Sequence, residues 1–94
     1  MILRIADADI KGASSNVCDS RDCPVARAFK RLLNRDDISV GVTGVTIGGD
    51  IIYGHMVIPT SLQKYICEYI LEHTAKPAEF ELPDEFLPYQ RIED

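Results

Sequence analysis

The sequence has no apolar run near the roughly 20 residues that cross a bilayer, because Gly, Asp or Lys interrupts its longest apolar stretches. No membrane segment is expected. It has only 3 cysteines, an odd and sparse set where a secreted scaffold of this size would carry an even, denser one. The opening "MILRIADADIKGA" lacks both a basic leader and a continuous apolar core with a cleavage site, so no signal peptide is expected. These features together favour a reducing cytoplasm. His55 and His73 are the sole histidines, and neither stands at a recognisable motif distance from a serine or cysteine. Gly41, Gly44, Gly48 and Gly49 are not followed by Gly-Lys-Ser/Thr, which removes the phosphate-cradling loop. No catalytic constellation is visible, so neither an enzyme nor a cofactor is expected.

What remains is a chain of 94 residues, enough for one domain around one modest core. Its net charge of −5 is unevenly placed. Acids and bases balance over residues 1–78, whereas Glu79, Glu81, Asp84, Glu85, Glu93 and Asp94 face Arg91 alone in the last stretch. Such an end repels nucleic acid and anionic membranes and could attract a basic protein surface. The plainer alternative is a solvating tail.

"ILRI" alternates over residues 2–5 and suits a short edge strand, followed by a turn or single helical turn in "DADIKGA". "SSNVCDSRD" is a polar loop. From Pro24 the period changes: Val25, Phe29, Leu32 and Leu33 share a face, with Arg27, Lys30 and Arg31 off it. This predicts an amphipathic helix ending at Asn34, a residue that tolerates left-handed backbone. "ISVGVTGVTI" alternates with a phase shift at Gly44, read as one strand bent by a bulge. Gly48-Gly49 then supplies a two-residue connection to a return strand in "DIIYGHMVI", giving a β-hairpin. Thr60 as N-cap with Gln63 three residues on predicts a capping box. The helix it opens carries Leu62, Tyr65, Ile66, Tyr69, Ile70 and His73 on one stripe and stops near Thr74, with His73 half-buried. "AEFELP" predicts a last strand, and residues 84–94 a loosely held acidic tail.

The order β-α-β-β-α-β predicts an α+β domain over residues 1–83, a small, mainly antiparallel sheet with two helices on one face. Its expected core is Ile5, Val25, Phe29, Leu32, Val40, Val45, Ile47, Ile58, Leu62, Ile66, Ile70 and Phe80.

Three features could carry function. Cys18 and Cys23 lie near a helix start, but a tetrahedral zinc site needs two more ligands from distant segments. The paired spacing is wider than the usual knuckle, so metal is the weakest alternative. Asp22-Cys23-Pro24 reads better as a cap, with Cys23 a small packing residue. Arg27, Lys30, Arg31 and Arg35 form a basic stripe that could meet phosphates, although no aromatic platform accompanies it. The segment 51–58 carries apolar residues in both phases, Ile51 and Tyr53 against Ile52, Met56 and Ile58. A two-layer domain buries only one set, so this strand is expected to meet a second copy or a partner; the competing expectation is that Phe86, Leu87 and Tyr89 fold back over it.

"CPVARAFKR", "ISVGVTGVTI", "VIPTSLQKYICEYI" and "AEFELP" together resemble a pattern in small bacteriophage and prophage proteins: a Cys-Pro helix, a hairpin, a Pro-initiated helix and a Phe-Glu-Leu strand. The resemblance spans roughly residues 18–83, and "YGH" in the second hairpin strand departs from it. It brings no catalytic residues. It implies a small cytoplasmic accessory protein of a virus or mobile element. Together with the acidic end and the lack of a catalytic constellation, this leads to the expectation of a modulator or inhibitor of a host protein or defence complex; the alternative is a nucleic-acid-associated regulator that uses the basic stripe, with a homodimer as a further expectation.

Overall fold

A computed structural model describes residues 1–16, 19–48 and 54–91, for 54–56 the backbone alone. The chain is α+β, with helices and two small antiparallel sheets in place of the single sheet expected. Strand β1 (Ile2–Ile5) pairs with β5 (Ala78–Glu81), Leu3 opposite Phe80. The second sheet has the order β2 (Ile38–Val40), β3 (Gly44–Ile47), β4 (Gly54–Val57).

The central helix α2 (Pro24–Leu33) joins the two sheets, packing on β1 and on β2. Pro24 presets the helical φ where no N–H is missed, and the thiol Sγ of the N-cap residue Cys23 accepts the Ala26 N–H at 3.3 Å. Asn34 ends the helix in left-handed backbone at φ 53°, as the sequence predicts. Val25, Ala26, Ala28, Phe29 and Leu33 are buried along its inner face. They meet Leu3, Ile5, Ile38, Val45, Ile47, Leu62 and Leu82 in one core. Of the expected core residues, Leu32, Ile70 and Phe80 are only half-buried at its margin.

Five further expectations need correction. "ISVGVTGVTI" reverses direction: Val40 pairs with Val45, and Gly41 N–H donates to the Gly44 carbonyl at 2.8 Å, so the phase shift marks a turn. The register of β3 and β4 sets Ile47 opposite Gly54, a pairing that a two-residue turn at Gly48-Gly49 would not give. Gly48 has the positive φ of 107° expected of it, and residues 49–53 lie outside the described residues. Helix α3 (Thr60–Glu72) is capped by Pro59 without a side-chain bond; Gln63 Nε2 donates instead to the Ile58 carbonyl at 2.9 Å. His73 is the exposed left-handed C-cap of α3, φ 59°, because the helix ends one residue before its side chain would reach the stripe.

The fifth correction concerns the tail. A short helix α1 (Asp7–Gly12) follows β1, and at the other end residues Asp84–Tyr89 form a 3-10 helix docked on α2. Phe86 is fully buried, its ring 5.6 Å from that of Phe29. Gln90 Nε2 and the Arg91 N–H donate to the carbonyls of Leu32 and Leu33, each at 2.8 Å. The final carbonyls of a helix have no partner within it, and here the C-terminal segment supplies one to two of them.

Candidate functional site

The basic stripe of α2 is occupied from within the chain. Arg27 Nη1 donates to Asp22 Oδ1 at 2.9 Å, and Lys30 Nζ to the Arg21 carbonyl at 2.6 Å. Arg31 forks onto both carboxylate oxygens of Asp9, at 2.5 and 2.8 Å, and also reaches the Arg4 carbonyl at 2.7 Å. Arg35 holds Asp37 bidentately at 2.7 and 2.6 Å and extends Nη1 to the Tyr89 carbonyl. Each fork fixes both geometry and charge. Burial alone pushes the Asp9 carboxyl up, but the bonds from Arg31 and the Ala6 N–H outweigh it and hold the carboxyl below its usual range. The Arg35 bond holds Asp37 low in the same way.

The acidic residues stand differently. Along β5 the side chains of Ala78 and Phe80 turn inward while Glu79 and Glu81 are exposed, the alternation a pleated strand imposes. Glu79 meets Arg4 at 3.0 Å on the outer face. Asp84 and Glu85 open the 3-10 helix, and the Asp84 side chain is 89% exposed, 4.0 Å from the N-terminal amine. With Phe86 anchored, these carboxylates form a ledge fixed to the fold. Glu93 and Asp94 lie outside the described residues.

A third feature has little signature in sequence. Between the loop 19–23, the β2–β3 turn and α3 opens an apolar cleft of about 200 Å³, lined by Asp19, Cys23, Val40, Val42, Ile66, Tyr69 and Ile70. The Val40 N–H donates to the Ser20 carbonyl at 2.8 Å, which pins the loop beside β2. Of the thirteen residues of α3, Leu62 and Ile66 are the buried ones, so the stripe continues past the core as half-exposed Tyr69 and Ile70. That continuation and Val42, 39% exposed, are the signals a sequence reading could have used. Burial pushes the Cys23 thiol up, against the pull of its helix-end bonds.

Cys18 lies outside the described residues, and among those described no cluster of three or more His, Cys, Asp or Glu stands ready for a metal ion. The same holds of Ile51, Ile52 and Tyr53 and of the Met56 side chain, so the expected association strand is described only from its end. There β4 is an edge of its sheet, Val57 is 69% exposed and Ile58 is buried. Of the residues expected to cover it in cis, Phe86 packs against Phe29 of α2 and Leu87 is 48% exposed. No helix among the described residues is long and apolar enough to cross a membrane. Compared with protein families, curated proteins and solved structures, the chain matches none.

Proposed function

We propose that this chain acts by binding another protein through the carboxylate ledge of Glu79, Glu81, Asp84 and Glu85. It is read as a non-enzymatic modulator of a bacterial host protein, in keeping with its resemblance to small phage and prophage proteins. The observation that carries the reading is the asymmetry of charge: Arg27, Lys30, Arg31 and Arg35 are engaged inside the chain, while the carboxylates of the ledge are exposed. A surface whose stripe cations are engaged and whose acids stand outward steers basic partners toward itself and repels polyanions. The nucleic-acid alternative draws less support, since each stripe residue would have to leave a partner before meeting a phosphate.

Capture from a nuclease-treated bacterial lysate tests this, with wild type beside Glu81→Lys/Asp84→Lys/Glu85→Lys. Charge reversal suits the test better than truncation after Leu82, which would remove Phe86 from the core. A basic protein retained by wild type and lost from the variant is the expected result. Identical retention by both, or retention of nucleic acid alone from an untreated lysate, overturns the reading. Association of two copies along the β4 edge is a second reading, carried by exposed Val57; light scattering that gives a monomer at high concentration removes it.

A further inference from the structure

We propose that the cleft between the loop 19–23, the β2–β3 turn and α3 is a socket for one lysine or arginine side chain of a partner protein. The inference rests on the reading of the chain as a protein-binding module and adds to it a second, separate point of contact. The cleft encloses about 200 Å³, below the roughly 300 Å³ at which small-molecule pockets begin. It suits one side chain. Its walls are mainly apolar, and among its described lining residues there is no Lys or Arg, whereas Asp19 is one of them.

The Asp19 carboxylate decides the chemistry. Its Oδ1 accepts the Arg21 backbone N–H at 3.1 Å, and no Lys or Arg side chain among the described residues pairs with it. A purely apolar occupant would take water from this carboxylate and return no hydrogen bond, which is unfavourable. A long cationic side chain satisfies both parts, its methylene stem lying against Val40, Val42 and Ile70 and its head reaching Asp19. Tyr69 lines the same cleft, and an aromatic ring in its wall favours a cation further, arginine above all because its planar head can also stack. A second copy of this chain is a poor occupant. The net charge of −5 on both works against contact.

The test uses the full-length ¹⁵N-labelled chain and three blocked peptides, acetyl-Ala-Leu-X-Leu-Ala amide with X as arginine, norleucine or glutamate. The arginine peptide should shift the amides of Ser20, Gly41, Val42 and Ile70 saturably. It should bind about fivefold more tightly than the norleucine peptide, as a charge-assisted bond at a half-exposed site implies. Asp19→Asn should remove that preference, and Asp19→Lys should transfer it to the glutamate peptide. Equal binding of the arginine and norleucine peptides to wild type, or shifts confined to residues away from the cleft, overturns the proposal even if neither variant folds. The two readings fail separately. A captured partner whose recovery Asp19→Lys leaves unchanged removes the socket and spares the ledge; arginine-selective binding by a protein that captures no partner does the reverse.

Discussion

At the residue scale, the Asp9–Arg31 pair shows how a charge can serve the fold instead of a ligand. The Asp9 side chain is 6% exposed and also accepts the Ala6 N–H at 2.8 Å, tying the start of α1 to α2. Removing the arginine leaves a buried carboxylate with one partner fewer. Arg31→Met should therefore lower stability by about 1–2 kcal/mol at pH 7, the low end because the Arg31 side chain is half exposed to solvent. The sign of the pH dependence follows from Asp9, held below its ordinary 3.8. Its contribution is fully present above about pH 5 and fades as pH falls through the folded-state value. Urea titrations at pH 7 and pH 3 should show the gap between wild type and variant narrowing at the lower pH. Cys23 gives a second residue-level prediction. Buried, with its thiol pushed up, it should alkylate much more slowly than half-buried Cys67, since the thiolate is the nucleophile. Peptide mapping after brief iodoacetamide treatment at pH 8 checks the order, and equal labelling would contradict it.

At the element scale, the C-terminal 3-10 helix is part of the core. Phe86→Ala should cost about 3–5 kcal/mol, the range for truncating a buried phenylalanine, with a matching fall in the urea midpoint. A change below about 1 kcal/mol would show that Phe86 is not packed as described. This segment also shows where sequence reading stopped. Pro83, Pro88 and the surrounding acids share the composition of loose tails, and one aromatic among them outweighed that composition through burial against Phe29. The elements α2 and β5 were legible because local signals agreed: Pro24 and Asn34 at the helix ends, and strict alternation in "AEFE". The turn at residues 41–44 was not. Val40 and Val45 are apolar and face the same core from paired strands, so the period of two does not distinguish a bent strand from two antiparallel ones. Pro59 took the cap expected of Thr60 for a related reason, since Gln63 found the Ile58 carbonyl within reach. The carboxylate ledge could be read from composition, but the occupancy of the basic stripe could not. Asp9 and Arg31 are 22 positions apart and meet only once α1 has folded back on α2.

At the scale of the whole molecule, α2 and the segment docked on it hold two sheets that share no strand. The radius of gyration, 12.2 Å, is that of a compact chain of this length, about 12 Å. Alkali should loosen this assembly. Tyr65 donates its hydroxyl to the Lys76 carbonyl at 2.7 Å and packs edge-on against Phe80 of β5, and burial first, then neighbouring groups, pushes its ionisation up to about 12. A raised folded-state value means that the contribution is complete below about pH 10 and is lost between there and pH 12. Thermal melting followed by circular dichroism should thus fall steeply above pH 10. A melting temperature flat to pH 12 would contradict the burial assigned to Tyr65.

The proposed function depends on a global property, that the acids of residues 79–85 stand on a fixed ledge because the segment after them is locked to α2. Native-state hydrogen exchange of the Arg91 amide, which donates to the Leu33 carbonyl, tests this most directly on the isolated protein. A bond broken only with the 3-10 helix should be protected by at least about a hundredfold over an unstructured chain. It should also lose that protection in Phe86→Ala. Exchange of the Arg91 amide at the unstructured rate in wild type would mean that the C-terminal segment is free of α2, and the fixed ledge would fall with it.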